Sequence, residues 1–344
     1  MFDLSINRDI SVWLSLAFIV GGLVALSWSA DRFVEAAARL ARAFGVSPLI
    51  VGMVIIGFGT SAPELAVSVL SALSDQSNLS LGNAYGSCTF NLGIILGVTA
   101  FISPIVVKPS VSFCGVPLLL GVTALSYFLV RDMAFERVNG VMLLVAFLLI
   151  MPLYCWFDQV KGQKPADAAG TEAPVARPRV RWGDFALLVA GLGLLVASSH
   201  VLVWGCVDFA RDVLGVSPLL IGLTIVAAGT SLPELASALA SARRGEHEFV
   251  IGNIVGSNLF NTLAVVGMAG TVSPFGGYSH YIVSRDLPAM FVASALLFVF
   301  GFNWRRPAEP GRIVRWEGVL WGGLFIGYLV VMILQETGHW PWRV

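Results

Sequence analysis

Two stretches of this chain repeat one another at a fixed distance. Residues 45–65 read GVSPLIVGMVIIGFGTSAPEL, and residues 215–235 read GVSPLLIGLTIVAAGTSLPEL. Further on, GNAYGSCTFN at 82–91 is matched by GNIVGSNLFN at 252–261. Both pairs keep the same offset of 170 residues. Agreement across the intervening sequence means that a whole structural unit is duplicated, not a short motif. Each copy sets one carboxylate, Glu64 or Glu234, inside an apolar segment beside Gly, Thr, Ser and Pro.

The medium for this unit follows from composition. Hydrophobic residues make up 57% of the chain and charged residues only 12%, too few charges to cover a soluble domain of this size. A spanning helix needs about 20 mostly apolar residues. Ten segments qualify, at roughly 10–38, 47–73, 79–102, 112–130, 137–157, 183–207, 216–242, 248–272, 284–302 and 316–335. The expected fold class is therefore an all-α membrane protein of ten transmembrane helices. The first segment follows Asp3, Arg8 and Asp9 rather than a clean basic start, so it reads as a spanning helix and not a cleaved leader. The formal net charge is zero, which gives no general attraction to nucleic acid. Cys88, Cys114, Cys155 and Cys206 show no pairing or metal spacing and read as small buried side chains.

Residues 158–182 form the one linker-like stretch, polar and rich in Pro and Ala, with Lys161, Lys164, Arg177, Arg179 and Arg181. It divides the chain into a first five-helix repeat at 1–157, with its motif at 45–91, and a second at 183–344, with its motif at 215–261. With the N-terminus outside, fifteen Lys and Arg residues face inward and six face outward, which the positive-inside rule favours. Both termini are then expected outside and the linker in the cytoplasm, in a prokaryotic inner (plasma) membrane. Five spans bring the chain back to the opposite side, so the second repeat inserts upside down relative to the first. Inverted repeats place their site near the midplane.

The chemistry of the motif points to a hard cation. In GTSAPEL, Pro63 lacks an N–H, so the Gly59 carbonyl loses its helical partner. Irregular backbone inside a membrane is tolerated only where protein or a wet cavity surrounds it. Freed carbonyls, Thr60, Ser61 and Glu64 present hard oxygen, and Thr230, Ser231 and Glu234 do so in the second copy. Such ligands suit Na+, Ca2+ or Mg2+ better than soft metals. The two glutamates supply the charge that neutralises one Ca2+; without a cation they repel, and protons compete for them. The competing reading, glutamates balanced by cationic side chains, finds no Lys or Arg in either GN-motif helix. Ser87 with Asn91, and Ser257 with Asn261, are i, i+4 pairs that share a helix face and add uncharged oxygen. Asn83 and Asn253 stand near expected helix starts, where capping explains them as well as ligation does. Gly86, Gly97, Gly256 and Gly267 read as close-packing positions, and His200 as a packed neutral imidazole. Trp340 and Trp342 read as interfacial anchors.

The paired GTSxPEL and GNxxGSxxFN blocks resemble the alpha repeats of the calcium/cation antiporter superfamily, in its sodium/calcium exchanger branch. The proton/calcium branch carries GNxxE where this chain has GTSxPE. The resemblance implies a Ca2+/Na+ antiporter, not an enzyme and without a cofactor, whose partners are the lipid bilayer and inorganic cations. It implies coordination by Glu64, Glu234 and Asn91, with backbone or hydroxyl oxygens from Gly57, Thr60, Ser61, Ser87, Ala227, Thr230, Ser231 and Ser257. The first and sixth helices are expected to slide past the other eight. One chain carries both halves, so a monomer suffices. Some relatives have an acid where this chain has Asn261, which leaves two carboxylates here instead of three. A proton-coupled divalent antiporter of the same fold and a passive cation channel are the alternatives.

Overall fold

The computed structural model describes residues 8–162, 182–212 and 227–336. The described residues are almost wholly helical. The helices are α1 (Arg8–Phe44), α2 (Pro48–Thr60), α3 (Ala62–Leu73), α4 (Ser77–Ile102), α5 (Val111–Val130), α6 (Arg137–Gly162), α7 (Trp182–Asp212), α8 (Ala227–Thr230), α9 (Leu232–Arg243), α10 (His247–Val272), α11 (Ile282–Gly301) and α12 (Arg315–Glu336). Four short strands join them: β1 (Ile105–Val107), β2 (Ala134–Phe135), β3 (Phe275–Gly276) and β4 (Gly311–Ile313).

Eight of these helices are long and apolar enough to cross a membrane, and α2 with α3 forms a ninth span bent by 44°. The expected tenth, 216–242, is represented by α8 and α9; its earlier part, like Trp340 and Trp342, lies outside the described residues. At 37 residues, α1 is about 55 Å long and outruns the roughly 30 Å hydrocarbon core. The polar linker is shorter than its composition suggests, since α6 runs to Gly162 and α7 begins at Trp182. Asp158, expected in that linker, is a buried helical residue that accepts a hydrogen bond of 2.7 Å from Ser47 Oγ. Ser47 also caps α2 by accepting from Ile50 N–H.

Burial sorts the helices into an inner and an outer set. The apolar stretch of α10 is wholly buried and that of α4 two-thirds buried, whereas those of α1, α6 and α12 are each about a fifth buried. A helix apolar all round belongs in the centre of a bundle, so the two helices that carry the GN motifs form its middle. α2 lies against α10 at backbone contact: a Cβ on Gly256 would sit 2.4 Å from the Met53 carbonyl oxygen, and one on Gly252 2.5 Å from that of Leu49. Gly97 and Gly267 likewise meet the Gly318 and Gly140 carbonyls; Gly86 meets nothing among the described residues.

α1 and α7 pack along each other, and their Leu26, Phe33, Ala37, Leu195 and Leu202 join Val51 and Ile56 of α2, Ala240 of α9 and Phe249 of α10 in a second apolar cluster apart from the main core. The end of α1 is tied to its surroundings by partly exposed ion pairs. Glu35 meets Arg32, Arg39 and Arg244, and Arg39 also reaches Asp184. His200 on α7 is not a packed imidazole: it is exposed on the outer face, and its Nδ1 lies 2.9 Å from its own helix at the Val196 carbonyl.

The strands join the two halves. β1 pairs antiparallel with β4 (Ile105 with Ile313) and β2 with β3 (Phe135 with Phe275). β1 and β2 flank the spanning helix α5, so the two pairings close opposite ends of the bundle.

The α2–α10 crossing generates a prediction. Gly256→Val forces a branched side chain into the Met53 backbone and destabilises the protein by about 1–3 kcal/mol or more. Gly327→Ala, at an exposed site on α12 with no neighbour within 4 Å, serves as the control. Thermal melting in detergent separates them; equal melting temperatures for the two variants contradict the close crossing.

Candidate ion-binding site

Two breaks in the helices organise the site. Ser61 joins α2 to α3 with φ −85° and ψ 6°, and Ser231 joins α8 to α9 with φ −92° and ψ 8°. Pro63 and Pro233 follow in the first helical turn, where a missing N–H is tolerated. The turn after each break projects the glutamate inward. Glu64 and Glu234 are both essentially fully buried, as are Thr60, Ser61, Ser87, Asn91, Ser231, Ser257 and Asn261.

The hydrogen bonds are crossed. Ser61 Oγ donates to Glu234 Oε1 at 2.9 Å, and Ser231 Oγ donates to Glu64 Oε1 at 3.1 Å. Each half's hydroxyl therefore holds the other half's carboxylate. Ser87 Oγ adds a longer bond of 3.4 Å to Glu64 Oε1. Ser257 Oγ donates to the Gly57 carbonyl at 3.2 Å, which places that expected backbone ligand beside α10. Thr60 Oγ1 donates back to the Ile56 carbonyl at 2.9 Å, and Thr230 Oγ1 reaches Asn83 Oδ1 at 3.5 Å. Ala227 supplies the first residue of α8.

Several buried polar atoms are left over. Glu64 Oε2, Glu234 Oε2, Asn91 Oδ1 and both amide atoms of Asn261 have no hydrogen-bond partner among the described residues. Nor does either glutamate pair with a Lys or Arg among them. An unmade hydrogen bond in a buried position costs about 1–3 kcal/mol, and an uncompensated buried charge costs more. The two carboxylate oxygens and two amide oxygens left in this way are of the hard donor type that Na+ and Ca2+ take. The residue set suits a cation as cargo.

Two features were not legible from spacing. Asn91 and Asn261 each open a π-helical turn, Asn91–Ile95 and Asn261–Val265. Such turns shift the side chains that follow and are frequent at functional sites. Asn258 was also missed: its Oδ1 accepts from Asn91 Nδ2 at 3.0 Å, and its own Nδ2 donates to the Cys88 carbonyl at 3.3 Å. The available signal was a difference within the repeat, since position 258 is the counterpart of Cys88. Asn83 and Asn253 are not caps, for each stands six residues inside its helix.

Comparison with known proteins decides the family. The model of the sodium/calcium exchanger protein family matches residues 14–156 and 184–334, the greater part of both halves. The chain belongs to the sodium/calcium exchanger family. It is 40% identical over 313 residues to the CaxA protein of Alkalimonas amylolytica, covering 90% of this chain and 96% of that one. It is 35% identical over 326 residues to the inner membrane protein YrbG of Escherichia coli, covering 93% and 97%. Among solved structures, the sodium-calcium exchanger NCX_Mj superposes with a TM-score of 0.76 at 29% identity, covering 92% of this chain and 98% of that one. This family member is thus a membrane cation antiporter of the exchanger fold.

The orphaned carboxylate oxygens of this exchanger generate a prediction. Glu64→Gln and Glu234→Gln remove buried charge without changing shape, so each variant melts no lower than the parent protein in cation-free buffer. Each also loses the rise in melting temperature that a bound cation gives the parent. Thermal shift assays with and without cation check both; an undiminished cation-induced rise in either variant contradicts the site.

Proposed function

We propose that this chain exchanges Ca2+ for Na+ by alternating access at a mid-membrane site built on Glu64 and Glu234. The observation that carries the reading is the crossed pair of serine–glutamate bonds, each leaving one buried carboxylate oxygen without a partner among the described residues. Two carboxylates balance one Ca2+, and two Na+ bring the same charge, so the ions compete for the same oxygens. Asn91, Asn261, Ser87, Ser257, Thr60, Thr230 and the backbone at Gly57 and Ala227 complete the proposed cage. That NCX_Mj has been studied with Na+, Ca2+ and Sr2+ soaked in supports the choice of ions.

The proposed frame is ten transmembrane helices in two inverted five-helix repeats, 1–157 and 183–344, joined by a cytoplasmic linker, with both termini outside. The long packing of α1 along α7 supports a gating pair that slides past the remaining helices. The Escherichia coli relative, named as an inner membrane protein, supports the same location here.

Uptake of 45-calcium into proteoliposomes under imposed Na+, K+ or H+ gradients tests the function. An outward Na+ gradient is expected to drive Ca2+ uptake, which Glu64→Gln and Glu234→Gln abolish. Lowering the pH slows uptake, because a proton on either glutamate removes charge that the divalent ion needs. Uptake that follows only the pH gradient assigns proton coupling instead, and Ca2+ flux that needs no counter-ion assigns a channel.

Asn261→Asp tests the charge count. Asn261 is fully buried, and both of its amide atoms lack a partner among the described residues. An aspartate there adds a third negative charge and is expected to change the Na+ dependence of Ca2+ flux or introduce a K+ dependence. Superimposable ion-dependence curves from equally stable proteins remove Asn261 from the site.

A further inference from the structure

Asn83 on α4 and Asn253 on α10 are counterparts in the repeat, one helical turn before Ser87 and Ser257. Both are buried. Asn83 Nδ2 donates to the Glu64 carbonyl at 3.1 Å and to Ser68 Oγ at 2.9 Å. Asn253 Nδ2 donates to the Glu234 carbonyl at 3.1 Å and to Ser237 Oγ at 3.0 Å. Both amide N–H bonds are thereby committed to the helix that carries that half's own glutamate.

The carbonyl acceptors are repeat counterparts, but the hydroxyl acceptors are not. Ser68 stands four residues after Glu64, and its counterpart is Ala238. Ser237 stands three residues after Glu234, and its counterpart is Val67. Simple inheritance from a duplicated ancestor would leave both serines in one register. The two halves instead reach the same arrangement from different positions on the helix, which marks saturation of both N–H bonds as the feature required.

The consequence lies at the other end of the amide. A primary amide has two donors and one carbonyl oxygen. A backbone carbonyl only accepts, so its contact with Nδ2 fixes which way the amide points. Oδ1 must then face the opposite half. Asn253 Oδ1 lies 3.4 Å from Thr60 Oγ1 and 3.5 Å from Ser257 Oγ, and Asn83 Oδ1 lies 3.5 Å from Thr230 Oγ1. Thr60 and Ser257 have shorter bonds for their single protons, at the carbonyls of Ile56 and Gly57. Each asparagine thus binds its own glutamate helix tightly and touches the threonine at the other half's helix break.

We propose that Asn83 and Asn253 are positioning residues of the ion site. Each sets the distance and rotation of one glutamate-bearing helix against the broken helix of the opposite half, and so sets the size of the oxygen cage. The inference rests on the exchange reading only for the identity of the cargo.

The test uses the full chain in detergent and in proteoliposomes. Thermal shifts of the parent protein with Na+, K+, Mg2+, Ca2+ and Sr2+ first identify the cation that binds. If Ca2+ gives no shift, the cargo assignment falls, and the variants are measured with the cation that does. If no cation gives a shift, both readings fall. Asn253→Ala and Asn83→Ala are each expected to raise the half-saturating cation concentration about tenfold, the scale of losing two buried hydrogen bonds. Ser237→Ala, which removes one acceptor of Asn253, raises it about threefold. Asn253→Asp keeps Oδ1 but has no N–H, so it behaves like the alanine variant. Asn253→Asp binding the cation more tightly would make this oxygen a ligand and overturn the positioning role. Lower melting temperatures with unchanged half-saturation also overturn it, reducing the residues to packing. Should Asn253→Ala fail to fold, Ser237→Ala decides alone, and unchanged affinity in that folded variant counts against the proposal.

Discussion

Two carboxylates sit in the middle of an apolar bundle with no Lys or Arg beside them among the described residues, and the surrounding structure is arranged to make that tolerable. Removing a charge from water costs several kcal/mol even after relaxation. One oxygen of each carboxylate is satisfied by a serine from the opposite half, while the other has no hydrogen-bond partner among the described residues. Because the serines cross over, neither half completes a carboxylate environment alone. The helix break that presents Glu64 also presents Ser61 to Glu234, so one local distortion serves both charges.

That requirement extends outward into the packing. Breaks in α2–α3 and α8–α9 need protein on all sides, and the buried helices α4 and α10 provide it. Close approach of α2 to α10 brings the Gly57 carbonyl to Ser257. The strand pairings β1–β4 and β2–β3 then hold the two halves together at opposite ends of α5, far from the polar centre. α1 and α7 pack along each other beside this clasped body and meet it through an apolar cluster shared with Val51, Ile56, Ala240 and Phe249, a buried bond from Ser199 Oγ to the Gly229 carbonyl at 3.0 Å, and partly exposed ion pairs at the end of α1. Exposed pairs of that kind contribute about 0–1 kcal/mol each, so they add little to the apolar contact.

The site is symmetric in plan and asymmetric in detail. Ser61 and Ser231, Glu64 and Glu234, and Asn91 and Asn261 are counterparts, yet Asn91 Nδ2 has a partner in Asn258 while Asn261 has none among the described residues. The difference traces to one position, where the second repeat has Asn258 and the first has Cys88. The Cys88 thiol, a weak donor and a weak acceptor, turns to the Asn258 carbonyl at 3.7 Å and offers Asn261 no amide oxygen like the one Asn258 offers Asn91. The two faces of the site therefore offer a cation different amide environments although the carboxylates are matched.

The membrane setting, the duplication and the identity of most polar residues at the centre were legible in the amino-acid sequence, for a single physical reason. Polar groups are costly in an apolar medium wherever they fall, so Glu64, Glu234 and the hydroxyls beside them stand out without knowledge of the fold. Contacts were another matter. Ser61 finds Glu234 across 173 residues and Ser231 finds Glu64 across 167, partnerships set by how two broken helices pack and not by any local spacing. For the same reason Asn83 and Asn253 read as possible caps until α4 and α10 were seen to begin a turn and a half earlier. Asp158 read as linker until Ser47 was found against it, and His200 read as packed until its face of α7 proved to point outward. Sequence determined which residues the membrane would force together; only the tertiary structure decided which oxygen each one holds and which oxygens remain open.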